Sequence, residues 1–286
     1  MKNQKHSRKY TFKNKSLKSK KKIRKSKKSK RIRKRTRKQR GGFLNSVKNL
    51  LNTDDIRLIQ SDAWIKYGSN DANNIMQNQD QRIHMDWPNN MLTHPSPWNK
   101  PEAVAFIIYF DDSSNCKGGT SIVPKLLEND DAYIYPYLNM PGNNGFKFIN
   151  NKNDCENYFK ENNPDIYEFR KKLYDREVFV NYKPGTVLIY RHDIWHRGTP
   201  LVPFTYRRVQ SLAFKKAGCD WITNWNNGWA RHMYSKNKFF EKLMGVLSFD
   251  QLECLGFPKK NSSYWNSFNL RNVKDRWKPY GFNLFD

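Results

Sequence analysis

The chain has no long apolar stretch. Its longest uninterrupted apolar run is Ala103–Phe110, far short of the roughly 18–20 residues that a membrane-spanning helix needs. No transmembrane segment is therefore expected. The first residues carry no apolar core ahead of a small-residue cleavage site, so secretion is not expected, and an intracellular location, nucleus or cytoplasm, is. Cysteine is scarce: Cys116, Cys155, Cys219 and Cys254 lie far apart with no CxxC pair. That spacing excludes a zinc knuckle or a disulfide framework and points to free thiols in a reducing compartment. Acidic residues are missing altogether from residues 1–40, which hold 22 of the 53 Lys and Arg. The formal net charge of +27 therefore sits mostly in that segment, and the remaining 31 basic side chains nearly balance 26 acidic ones.

Two regions follow from this asymmetry. Residues 1–42 are expected to be a disordered polybasic tail, because self-repulsion and the shortage of apolar side chains leave nothing to bury. Such a segment seeks phosphates, so nucleic acid, an anionic surface or a nuclear import receptor would each bind residues 1–40. Gly41-Gly42 punctuates the boundary. Residues 43–286 hold all 9 Trp and are long enough for one domain with a full core.

The spacing of Phe43, Leu44, Val47, Leu50 and Leu51 predicts a short helix. The middle of the body reads as β. Strands are expected over Ala103–Phe110, Thr120–Val123, Glu177–Tyr182, Thr186–Tyr190 and Tyr206–Phe214, with Gly118-Gly119 and Lys183-Pro184-Gly185 as turns. Short strands with Gly/Pro turns predict a sandwich or barrel. A polar, Asn-rich insertion runs from about Lys125 to Arg176, and its end reads as a helix with Asn163 as N-cap and Pro164 at the first position. Residues 237–247 form a further helical candidate, and Ser248 with Gln251 suggests a capping box for another that ends at Gly256.

The chemistry concentrates in three side chains. In a strand, residues i and i+2 share a face, so His84 and Asp86 of RIHMDW would present an imidazole and a carboxylate side by side. His196 lies far downstream in RHDIWHRGTP. Two His and one carboxylate on a β scaffold make the facial triad of non-haem Fe(II) oxygenases, with positions left open for a co-substrate and O₂. Eleven residues after His196 comes Arg207, whose planar fork suits a carboxylate. Arg208 competes with it. Alternation groups Arg207 with the small face of Val209, Ser211 and Ala213. His192 lies four before His196, but the preceding VLIY and the nearby Pro200 argue for a loop and against a zinc-binding helix. Trp87, Trp98 and Trp195 flank the candidate site, and Trp221, Trp225 and Trp229 read as core or as a stacking platform.

The order of HxD, GGTSIVP, PGTVLIY and a distal His with Arg eleven residues later resembles the phytanoyl-CoA dioxygenase (PhyH) group of Fe(II)/2-oxoglutarate oxygenases, over roughly Ile83 to Phe214. The resemblance implies a mainly β fold with flanking helices, built on a double-stranded β-helix (jelly-roll) core. It implies His84, Asp86 and His196 as iron ligands, Arg207 as the 2-oxoglutarate anchor, and Fe(II) and 2-oxoglutarate as cofactors. Pro124 is followed by Lys125-Leu126-Leu127 where members of the group often carry Pro-Gly-Ser-His, and the insertion matches nothing in it. Three functions stay open at this point: a hydroxylase of a small molecule or lipid-like substrate, an oxygenase of nucleic acid or a bound protein tethered by the tail, and a non-catalytic jelly-roll binding module.

Overall fold

Strands that alternate between two sheets define the architecture of the computed structural model, which describes residues 43–70, 78–86, 91–92, 101–134, 140–142, 145–218, 237 and 239–281. The chain divides into two units, Met1–Asn49 and Leu50–Asp286. The first is described only over residues 43–49, which are helical. The helix extends to residue 51, as the apolar spacing predicts. The tail and its Gly-Gly boundary lie outside the described residues, as do Trp87, His94, Trp98, Cys219, Trp221, Trp225, Trp229 and His232.

The larger sheet has the order β1-β7-β2-β5, from β1 (Ile56–Tyr67), β7 (Tyr206–Lys216), β2 (Ala103–Tyr109) and β5 (Val187–Arg191), and every pairing is antiparallel. The smaller sheet is β4-β3-β6, from β4 (Val178–Phe179), β3 (Thr120–Ile122) and β6 (His196–Gly198). On the open edge of β6, His84 pairs with His196 in an isolated antiparallel bridge, so the HxD segment serves as a fourth strand. Along the chain the strands then fall in the larger, smaller, larger, smaller, smaller, larger, smaller and larger sheet. That alternation is a double-stranded β-helix of the jelly-roll kind. Tyr109 of β2 and Tyr182 stack inside it at 4.1 Å, within a cluster that includes Ile107, Leu201 and Val209.

The turns obey the glycines. Gly118 has a φ of +54°, and a Cβ there would stand 2.3 Å from the Pro200 carbonyl oxygen, so β3 is entered only with glycine at that point. Gly185 has a φ of +92° in the turn before β5.

β1 was not expected from the sequence. It is the longest strand, yet it mixes polar and apolar residues on both faces. The expected Glu177–Tyr182 strand contracts to two residues. The insertion is more ordered than its composition suggests. Beyond the expected helix, α3 (Pro164–Asp175), it carries α2 (Lys152–Asn162), counting residues 43–51 as α1. Asn163 caps α3 by accepting from the Ile166 N–H, and Asn151 caps α2 in the same way from Asp154. α2 hides its signal because, among polar residues, only Cys155 and Phe159 are buried.

Three further helices follow: α4 (Phe239–Val246), α5 (Phe249–Cys254) and α6 (Ser267–Trp277). They share a core of Leu92, Met244, Leu252, Phe257, Val273 and Trp277. Both bonds of the expected Ser248/Gln251 capping box are present.

The base of the insertion is clamped where it leaves and rejoins the jelly roll. Arg176 donates to both Asp130 carboxylate oxygens at 2.8 and 2.6 Å, and to the Pro124 carbonyl at 2.8 Å. The Arg176 guanidinium holds the Asp130 carboxyl well below the usual carboxylate range. A folded pKa below the unfolded one means that the pair stabilises the fold fully above about pH 5 and loses that effect as the pH falls through the folded value. Asp130→Asn is therefore expected to cost about 2 kcal/mol at neutral pH. In urea titrations, the gap from wild type should shrink progressively below about pH 4.

Candidate metal centre

The smaller sheet and the HxD segment on its β6 edge bring His84, Asp86 and His196 together. They are the group among the described residues that could hold a metal ion, with one ligand atom from each lying within 4.8 Å of the others. The reciprocal backbone bonds between His84 and His196, at 2.9 and 2.8 Å, set the two imidazoles side by side, with ring centroids 4.5 Å apart. Asp86 completes the set. Its Oδ2 lies 3.2 Å from His196 Nε2 and its Oδ1 lies 3.5 Å from His84 Nε2.

Each ring is oriented by a carbonyl two residues before it. His84 Nδ1 lies 3.1 Å from the Arg82 oxygen, and His196 Nδ1 lies 2.9 Å from the Ile194 oxygen. A carbonyl can only accept, so each Nδ1 bears a proton and each Nε2 is turned toward the Asp86 carboxylate, where it can ligate once free of a proton. This is the supporting shell that metal-binding histidines use. Burial, helped by His196, holds His84 down at about 4, so its ring is neutral at neutral pH. Burial works to raise the Asp86 carboxyl, but His196 overrides it and keeps Asp86 ionised. Burial opposes the His196 cation, and Asp86 more than offsets this, leaving His196 above its ordinary value.

A cavity of about 270 Å³ opens on the triad. Arg207 lines it from β7, with Trp64 and Gln60 from β1 and Tyr190 from β5. Arg207 is only 2% exposed, and its Nε and Nη1 make no hydrogen bond. A buried cation with idle donors is costly unless a ligand completes it. The Trp64 ring lies 5.5 Å from the guanidinium. Arg208, on the other face of the strand, is paired with the Asp111 carboxylate at 2.6 Å and is largely exposed. The alternation that grouped Arg207 with the small-residue face thus matches the structure, in which Arg207, Val209 and Ala213 are all buried.

His192 lies in the turn after β5, fully buried, with neither ring nitrogen hydrogen-bonded. Trp195 is buried packing, its indole N–H donating to the Ala132 carbonyl at 2.7 Å. The sequence did not single out Lys66, which pairs with Arg207 across β1 and β7 and donates to the Gln79 and Thr199 carbonyls. Burial and the neighbouring Arg207 pull its ammonium down to about 8. No sequence signal marks Lys66, because β1 itself went unseen. A larger groove, about 1030 Å³, runs along α3 and contains none of the triad.

No protein-family model and no curated protein matches the chain. Among solved structures, it is similar to HygX from Streptomyces hygroscopicus with nickel and 2-oxoglutarate bound. The identity is 12% and the TM-score 0.39, over 62% of this chain and 63% of that one. It is also similar to EctD from S. alaskensis with 2-oxoglutarate and 5-hydroxyectoine, at 14% identity and a TM-score of 0.37, over 59% of this chain and 47% of that one. In both cases this chain covers less than two thirds of the other's length. The strand order and the side-chain geometry, not these likenesses, carry the functional reading.

Proposed function

We propose that the protein is an Fe(II)- and 2-oxoglutarate-dependent dioxygenase, a hydroxylase of the phytanoyl-CoA dioxygenase-like kind that acts on a small molecule. The observation that carries this reading is the pairing, in one cavity, of a His-Asp-His triad with a buried Arg207 whose donors are idle. A triad alone suits several divalent metals. A triad with an unsatisfied guanidinium beside it suits a metal chelate that also bears a distal carboxylate. When bound, Fe(II) with 2-oxoglutarate supplies the oxygen activation that couples loss of CO₂ from the oxo acid to hydroxylation of a C–H bond.

The chain's own residues have narrower tasks. His84, Asp86 and His196 would hold the metal, with the Arg82 and Ile194 carbonyls orienting the rings. Arg207 would clamp the distal carboxylate through its idle N–H groups, and the Trp64 ring holds the guanidinium in place. Phe106, Ile107 and Leu212 supply apolar wall, which keeps water from the reacting centre. Gln60 and Ser211 offer polar contacts in the same cavity.

The test is anaerobic. Fe(II) and 2-oxoglutarate added to the purified protein should give the weak visible charge-transfer band of the chelate, and admitting O₂ should release succinate. Arg207→Ala should keep metal binding and need roughly 10- to 100-fold more 2-oxoglutarate for the same band, the worth of a charge-assisted pair. A wild-type protein that gives no band overturns the reading.

A further inference from the structure

The unmatched insertion reaches the metal centre. An antiparallel strand directs the backbone groups of successive residues to opposite edges. His84 spends its N–H and C=O on His196 of β6, so Ile83 presents both of its groups to the other edge. Just upstream, where the alternation slips by one residue, that edge is paired with backbone: around the Gln81–Asn151 bridge the Arg82 N–H donates to the Asn150 carbonyl and the Lys152 N–H to the Asp80 carbonyl, both at 2.9 Å. At residue 152 the partner chain turns away into α2, and among the described residues Ile83 has no strand on that edge. Two side chains of α3 take the strand's place. The Ile83 N–H donates to the Tyr174 hydroxyl at 3.0 Å, and Arg170 Nη2 donates to the Ile83 carbonyl at 3.1 Å.

Arg170 and Tyr174 are four residues apart on α3 and so share a helix face. Glu156 of α2 binds both. Its Oε1 accepts from the Tyr174 hydroxyl at 2.7 Å and from Arg170 Nη2 at 2.7 Å, and Arg170 Nε lies 3.0 Å from each oxygen. The Arg170 side chain is completely buried. A buried charge is kept only where its partners are in place, and these partners converge on the residue next to a metal ligand.

We propose that Glu156, Arg170 and Tyr174 form a positioning unit that stands in for a missing strand and holds the His84 imidazole in ligating geometry. This deepens the reading of the triad as a metal site and rests on it. Metal coordination tolerates errors of only about 0.2 Å in ligand distance, so a freed Ile83 backbone is felt at the metal. The insertion then supports the metal centre through the backbone of Ile83.

The test uses the full chain and Co(II) alone. Wild type should bind one Co(II) with a visible ligand-field spectrum, lost in His84→Ala. Tyr174→Phe deletes one oxygen, and Glu156→Gln keeps its size while removing the charge. Each should weaken Co(II) binding about tenfold or more, the usual cost of losing a supporting residue, and change the intensity or position of the band. With metal saturating, the apparent affinity for 2-oxoglutarate should move less than about twofold, since Arg207 is untouched. If both variants melt at lower temperature but keep wild-type Co(II) affinity and spectrum, the unit is only structural and the proposal falls. If wild type itself binds no Co(II), the reading of the triad falls, and the proposal with it.

Discussion

Asp86→Ala should lose metal binding and turnover together. Asp86 is the only carboxylate of the triad, and its two oxygens face the Nε2 atoms of the two histidines. Without it, two neutral imidazoles remain, and a two-ligand site with no anionic donor holds Fe(II) poorly. Metal affinity should fall by more than about 100-fold, beyond what the loss of a supporting residue costs. Calorimetric titration with Fe(II) under anaerobic conditions and succinate release in air would read the two losses. The contrast with Arg207→Ala is diagnostic. That variant should keep the metal and lose the co-substrate, whereas Asp86→Ala should lose both. An Asp86→Ala protein with wild-type metal affinity would mean that the cluster is an ordinary buried polar network.

The second large effect is on stability. Arg197 follows the distal histidine, and only about 5% of its side chain is exposed. It joins Glu177 through Nε and Nη2 and Asp80 through Nη1, tying the segment before the HxD motif to the start of β4. The Glu177 side chain is equally buried, and among the described residues its one other partner is the Ser121 hydroxyl at 3.0 Å. Arg197→Met would leave a buried carboxylate with a single hydroxyl for company. Stripping one partner from a buried pair costs about 3–5 kcal/mol, or a fall of roughly 6–20 °C in melting temperature for a domain of this size. The double variant Arg197→Met/Glu177→Leu should recover much of the loss, because the penalty lies in the stranded charge. A single variant that melts within about 2 °C of wild type would show that water reaches Glu177 freely.

The site was more legible than the scaffold around it. Chemistry-bearing residues such as His84, Asp86 and His196 are scarce and sit beside strong strand or turn signals, so the HxD spacing and the order of the motifs could group them. Between Arg207 and Arg208 the sequence offered strand parity and the eleven-residue spacing from His196, and parity was soft because the Arg208 face also carries apolar residues such as the buried Phe214. β1 escaped altogether. Gln60, Trp64 and Lys66 face the site and are polar or amphipathic, while Ile65 and Tyr67 stand about half exposed, so neither face shows the period of a half-buried strand. The carbonyls that orient the two imidazoles were out of reach as well, since every residue has one. The insertion was opaque because its contribution is made by hydrogen bonds from Glu156, Arg170 and Tyr174, which in a sequence look like any polar helix surface.

The order β1-β7-β2-β5 has a consequence for biogenesis. The strand that joins β1 to β2 in the larger sheet is also the last of its strands to leave the ribosome. β1 and β2 must wait with a strand-wide gap between them until residues 206–216 arrive to fill it. Throughout that interval β1 and β2 each leave unpaired the edge that β7 will take, able to pair with another nascent chain. Arg207 rides in on the closing strand, so the cavity acquires its buried guanidinium in the same event that seals the sheet.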